Sequence, residues 1–172
     1  LELQSLSSTW PSGTKLISIG EETAVLENFV NKKILEKQSL NLGDSTEVTN
    51  ELKNKYKERG LLSEKNNFIF TDKSLNNFFY LNLINKIYPN AKIINCRRDA
   101  LSSIMSIFKN NLSELAWTHN INNIFKFFDN YFKIISEFKI NNSNKLYELD
   151  FEKLANNPEK ESKKVMEYCE LP

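Results

Sequence analysis

The densest chemistry in the chain lies in Tyr88-Pro89-Asn90-Ala91-Lys92-Ile93-Ile94-Asn95-Cys96-Arg97-Arg98-Asp99, followed by Ser102, Ser103 and Ser106. The pattern is that of a buried strand delivering two arginines to its carboxyl end. A helix begins at once, so its free N–H groups and positive dipole end point to the same place. Ser102 and Ser106 are four residues apart and share a face of that helix. The planar guanidinium fork suits phosphate or sulfate oxygens. Two readings follow. One is an anion pocket at the helix start; the other is a surface Arg-Asp pair beside serines that solvate a helix. The residues alone leave both open.

Three further segments bear on chemistry. In Phe70-Thr71-Asp72-Lys73 a lysine follows a strand end, where it can act as a point charge on a developing negative leaving group. An exposed lysine in a turn is the plainer reading. In Ile19-Gly20-Glu21-Glu22-Thr23 a carboxylate can serve as general base towards a hydroxyl. The plainer reading is that Glu21 and Glu22 occupy the first turn of a helix, where the dipole favours them. Tyr147-Glu148-Leu149-Asp150-Phe151-Glu152-Lys153-Leu154 reads as structural, with Asp150 capping the helical turn after it.

Strands and helices in alternation would position these residues. Segments 16–19, 68–71, 92–96 and 146–149 are short, rich in β-branched or aromatic residues and followed by polar ones, which predicts buried strands. Helical periodicity covers 21–37, 46–59, 75–88, 100–109, 120–138 and 159–168. Gly60 suits a helix end and Pro158 a helix start. The alternation predicts an α/β fold with a mostly parallel sheet, and such sheets place ligands at the carboxyl ends of their strands. The region 37–62 is the most polar and is expected to be the most mobile. The aromatics of 120–138 are expected to pack as core rather than to line an acceptor groove.

Composition narrows the function. The chain has 172 residues, enough for one domain, and a formal net charge of +1. That balance argues against a general binder of nucleic acid or membrane surface. Two cysteines and one histidine supply no metal-ligand spacing, and His119 has no nucleophile-elbow motif to serve. Two lone cysteines fit a reducing, cytoplasmic compartment. No apolar run spans a bilayer and no signal-peptide pattern opens the chain.

Taken together, these segments resemble the sulfotransferase superfamily, and within it the branch of tyrosylprotein and bacterial TPR-linked sulfotransferases. Gly20-Glu21-Glu22-Thr23 resembles its GEET segment, and Thr71-Asp72-Lys73 its TDKxP segment. The stretch from Tyr88 to Ser106 resembles its FPNAK…RD…S signature. Trp117-Thr118-His119-Asn120 with Ile124 resembles its WAHxLxxI segment, and the stretch from Tyr147 to Pro158 its YEDL…P segment. The resemblance implies a P-loop-NTPase-like three-layer fold that binds 3′-phosphoadenosine 5′-phosphosulfate (PAPS), with no metal. Arg98 and Ser106 would hold the 3′-phosphate. Glu22 would be the catalytic base, with Glu21 the lesser candidate, and Lys73 would stabilise the leaving oxygen. The partner would be an acceptor carrying a hydroxyl group, on a peptide, saccharide or small molecule.

The resemblance also has departures. The family's 5′-phosphosulfate loop is expected upstream of Leu1 and its C-terminal segment beyond Pro172. Trp10-Pro11-Ser12-Gly13-Thr14-Lys15 reads as an inserted turn; if it is instead the loop, Ser12, Gly13, Thr14 and Lys15 would bind the phosphosulfate. Ser74 replaces the family's proline, and Phe151 its YEDL tyrosine. Two other readings compete: another P-loop transferase such as a small-molecule kinase, which needs a Walker-type loop and a magnesium ligand, and a non-catalytic remnant acting as a binding module.

Overall fold

A computed structural model describes residues 16–18, 20, 22–36, 45–62, 68–110 and 112–171. The Trp10–Lys15 alternative and Glu21 lie outside the described residues. The chain divides into two compact units, Leu1–Tyr80 and Leu81–Pro172.

In the first unit, strand β1 (Leu16–Ser18) pairs in parallel with β2 (Phe68–Phe70), Ile17 opposite Ile69. Helices α1 (Val25–Leu35) and α2 (Ser45–Glu58) lie between them in sequence, as a parallel crossover requires. Helix α1 buries Val25, Leu26, Phe29 and Val30, while α2 buries Leu52 and Tyr56. Lys33 bridges to Glu51 across the two helices at 2.9 Å. Gly60 ends α2 as its sequence position predicts: its φ is +72°, and the N–H groups of Gly60 and Leu61 turn back to Lys57 and Tyr56. Residues 45–58 of the polar region are therefore helical, and 37–44 lie outside the described residues.

Helix α1 starts four residues later than the periodicity predicts, because Ala24 takes a left-handed conformation (φ 49°, ψ 21°) that holds the preceding residues out of the helix. The helix expected over 75–88 divides into a 3₁₀ segment (Leu75–Tyr80) and α3 (Leu81–Ile87), the latter opening the second unit. The Ser74 carbonyl accepts from Asn77 N–H, an i→i+3 bond that starts the segment in the tighter 3₁₀ geometry.

In the second unit, β3 (Ile93–Arg97) pairs in parallel with β4 (Leu146–Asp150), in a register that sets Asn95 opposite Glu148 and Arg97 opposite Asp150. Helix α4 (Ala100–Asn110), a 3₁₀ turn (Ala116–His119) and the long α5 (Ile121–Asn141) connect the two strands. Helices α6 (Phe151–Asn156) and α7 (Pro158–Tyr168) follow β4, with Pro158 in the first turn of α7. Helix α5 covers the face that carries Asn95 and Glu148: Tyr131 OH donates to Asn95 Oδ1 at 2.7 Å, and Lys139 pairs with Glu148. Side chains alternate across a strand, so Tyr147 faces the other way, against Tyr168 of α7 at 5.2 Å between ring centroids. The core includes Ile104, Ile124, Ile135, Phe138 and Leu146.

The WAHxLxxI-like segment proves to be the scaffold that launches α5. Thr118 is fully buried and donates to the Leu115 carbonyl at 2.7 Å. Trp117 stacks on Phe127 at 4.2 Å, and the Asn120 side chain caps α5 by accepting from Asn122 N–H. His119 Nε2 donates to the Leu112 carbonyl, a structural use. The aromatics of α5 are only partly core: Phe138 is buried, whereas Phe125 and Phe132 are 45% and 41% exposed.

The architecture is thus α/β with parallel strand pairs flanked by helices. Among the described residues no helix is long and apolar enough to cross a membrane.

Candidate functional site

Of the residues singled out from the sequence, Glu22 and Lys73 follow the strands of the first unit and Arg98 follows β3 in the second, while Ser106 lies on α4, the helix after β3. The two sets are built on different principles.

In the first unit the chain leaves β1 through Gly20. This glycine lies so close to β2 that a Cβ here would stand 1.9 Å from the Thr71 carbonyl oxygen. Its N–H donates to Thr71 Oγ1 at 3.1 Å. Glu22 follows, exposed, lining a shallow open cleft with Thr23, Arg59 and Leu61. Across from this segment Asp72 accepts five hydrogen bonds: Thr23 Oγ1 (2.8 Å) and Tyr56 OH (2.7 Å) on Oδ2, and Ser74 N–H (3.0 Å), Ser74 Oγ (2.7 Å) and Asn77 Nδ2 (3.0 Å) on Oδ1. Burial alone would push this carboxyl up. The donors from Ser74, Tyr56 and Thr23 outweigh it and hold Asp72 below the usual carboxylate range. Lys73 is exposed between two members of this network, and no carboxylate among the described residues pairs with it.

Ser74, the departure from the family's proline, has a clear use. Its hydroxyl accepts from Ala24 N–H at 2.9 Å while donating to Asp72, and its own N–H also reaches Asp72. A proline could supply none of these three bonds. Spacing alone could not point to Tyr56, which comes to Asp72 from α2; its ring packs on Phe70 at 4.6 Å.

In the second unit β3 delivers Arg97 and Arg98 to different surroundings. Arg97 lies over β4 and pairs with Glu148 at 3.3 Å. Arg98 points to the other side of the strand, where its guanidinium rests over the Phe151 ring at 5.5 Å. No carboxylate among the described residues forms an ion pair with Arg98. Asp99 caps α4, its Oδ1 accepting from Ser102 N–H at 2.7 Å, and the Ser102 hydroxyl first, then this N–H, hold the Asp99 carboxyl below its usual range. The helix start is therefore less open than the sequence implied, since one of its first-turn N–H groups already has an acceptor. Glu152 accepts from Asp99 N–H at 3.1 Å, and Asp150 caps α6 through Lys153 N–H at 2.9 Å, as expected. The two strand ends are tied together in this way. Ser106 lies two turns into α4, partly buried, with Asn110 Nδ2 donating to its hydroxyl at 3.4 Å. Cys96 and Cys169 are both free thiols.

Residues 21–172 match the model of the sulfotransferase family. A protein of Aquifex aeolicus (strain VF5), named only as an uncharacterized protein, is 30% identical over 112 aligned positions. That alignment covers 59% of this chain and 14% of the Aquifex protein, so the chain spans a small part of that relative's length. The family match takes in the Glu22 segment, the Asp72 network, both arginines and the capped starts of α4 and α6, and the chain belongs to the sulfotransferase family.

Proposed function

We propose that the protein transfers a sulfuryl group from PAPS to an acceptor hydroxyl. Both units belong, on this reading, to one P-loop-like sulfotransferase domain. The observation that carries it is the different fate of two adjacent arginines. Arg97 is spent on Glu148, whereas Arg98 lies on an aromatic ring and keeps its fork of donors available to an anion. Arg98, with the Ser106 hydroxyl on the following helix, binds the 3′-phosphate of the donor.

In the reaction the acceptor oxygen attacks sulfur in line, and the bond between sulfur and the bridging oxygen breaks. Glu22 takes the acceptor proton, and Lys73 neutralises the charge that grows on the bridging oxygen as the phosphate leaves. The products are a sulfate ester and adenosine 3′,5′-bisphosphate. Positioning and charge neutralisation supply most of the rate, as in phosphoryl transfer. An exposed Glu22 in an open cleft and a Lys73 with no counter-ion among the described residues both suit these roles.

The test is thermal stabilisation of the full-length protein. Adenosine 3′,5′-bisphosphate at millimolar concentration is expected to raise Tm, with ATP and magnesium giving no comparable rise. Stabilisation by ATP and magnesium alone would favour a kinase. No response to either nucleotide, together with no sulfate transfer to hydroxyl acceptors, would favour a binding module.

A further inference from the structure

We propose that Asp72, held by Tyr56 and Thr23, is a positioning residue that fixes the Glu22 and Lys73 segments against each other. The proposal rests on the sulfuryl-transfer reading for what those two residues do, but the lock itself stands on geometry.

Thr23 and Asp72, the chain neighbours of Glu22 and Lys73, are joined directly at 2.8 Å. Four more bonds stitch the same two segments: Gly20 N–H to Thr71 Oγ1, Thr71 Oγ1 to Gly20 O, Thr71 N–H to Ser18 O, and Ala24 N–H to Ser74 Oγ. Tyr56 adds a third element by donating to the same Asp72 oxygen as Thr23. An ionised carboxylate accepts at both oxygens and gives no donor, so five donors converging on Asp72 fit its ionised form.

The strain beside it points the same way. Ala24, two residues after Glu22, has φ of +49°, a conformation a non-glycine residue holds only where its surroundings over-determine it. Those surroundings are the Ser74 hydroxyl on its N–H and Asn28 N–H on its carbonyl. Ser74 is in turn fixed by Asp72. A network that saturates a carboxylate and forces alanine into a left-handed turn exceeds what joining two short strands needs. Its effect is to set the backbone on which Glu22 and Lys73 stand.

The experiment combines amide hydrogen exchange with steady-state kinetics on the full-length protein and its Asp72→Asn, Tyr56→Phe, Thr23→Val and Thr23→Ser variants. Asparagine keeps the shape of Asp72 but cannot accept at both ends. Exchange at Ala24 and Ser74 is expected to rise at least tenfold in Asp72→Asn, with the amides of α5 unchanged. The kcat for sulfuryl transfer is expected to fall at least tenfold with the KM for PAPS within about twofold, because the 3′-phosphate is held by Arg98. Thr23→Val and Tyr56→Phe should show smaller losses in the same direction, and Thr23→Ser, which keeps the hydroxyl, should restore kcat. Unchanged exchange at Ala24 and Ser74 overturns the lock. Raised exchange with unchanged kcat, or a fall shared by Thr23→Ser, overturns the positioning role. An unmutated protein with no transfer activity defeats the functional reading itself, a result separate from any difference among the variants. Should Asp72→Asn fail to fold, Tyr56→Phe decides by the same readouts, since it removes a single hydroxyl.

Discussion

The two units solve the end of a parallel strand pair in opposite ways. In the first, the charge at the strand end is a carboxylate, Asp72, half-buried and saturated by five donors. In the second, it is a guanidinium, Arg98, exposed, lying on a ring and paired with no carboxylate among the described residues. A saturated charge can bind nothing further, so its contribution is to rigidity. A charge left with open donors contributes little to the fold and is available to a ligand. The neighbours invert this assignment: Lys73 beside Asp72 has no carboxylate partner among the described residues, while Arg97 beside Arg98 is closed by Glu148. Each strand end thus carries one group that holds the backbone and one that faces outward.

The largest effect that could break this contrast is on stability. Asp72→Ala should strip the acceptor from several partly buried donors and cost about 3 kcal/mol or more, read as a lower urea midpoint. Arg98→Ala should leave the midpoint nearly unchanged, because its cation–π contact is exposed. Equal losses would remove the distinction between a structural and a binding charge.

Gly20→Ala comes next. A Cβ 1.9 Å from a backbone oxygen forces the two strand ends apart, with an expected loss of about 2 kcal/mol in the same assay. Tolerance of alanine there would mean that the two strand ends are held less closely.

The pH dependence sharpens the comparison further. Asp72 has its folded pKa depressed, so it contributes stability that is fully present above its unfolded value of about 3.9 and is lost as pH falls through the lower folded value. Urea midpoints should therefore fall across that acidic window, and Asp72→Asn should flatten the dependence.

The smallest expected effect has the opposite sign. Ala24→Gly should relieve the left-handed strain and stabilise the protein by less than about 1 kcal/mol, offset in part by the greater freedom of glycine when unfolded. A loss would show that Ala24 is not strained.

Much of this was legible in the sequence, for reasons visible in particular residues. Among the described residues the four strands and six of the seven α-helices follow from apolar periodicity, and α6 follows from the Asp150 cap. Gly60, Pro158 and Asp150 end or start helices where their backbone and capping chemistry predicts. Boundaries shifted where a local hydrogen bond overrode periodicity, as at Ala24 and at the 3₁₀ segment after Ser74. The different surroundings of Arg97 and Arg98 were half legible. Strand alternation separates Arg98 from Arg97, but the Phe151 ring arrives from α6 and the Glu148 partner from β4, some fifty residues away in the chain. The Asp72 network was not legible. Its members are ordinary polar residues from three separate segments, and no spacing rule links Thr23, Tyr56 and Ser74. The sequence marked Ser74 only as a departure from a proline, and its two roles became visible once Ala24 and Asp72 were seen on either side of it.

The central claim is that Arg98, not Arg97, is the anion-binding arginine. Isothermal titration of the full-length protein with adenosine 3′,5′-bisphosphate, comparing Arg98→Ala with Arg97→Ala, tests it most directly. Loss of charge-assisted hydrogen bonds at Arg98 should raise Kd roughly thirtyfold, corresponding to about 2 kcal/mol, while Arg97→Ala should change it less than about threefold. Equal weakening by both variants, or the greater weakening by Arg97→Ala, would contradict the account.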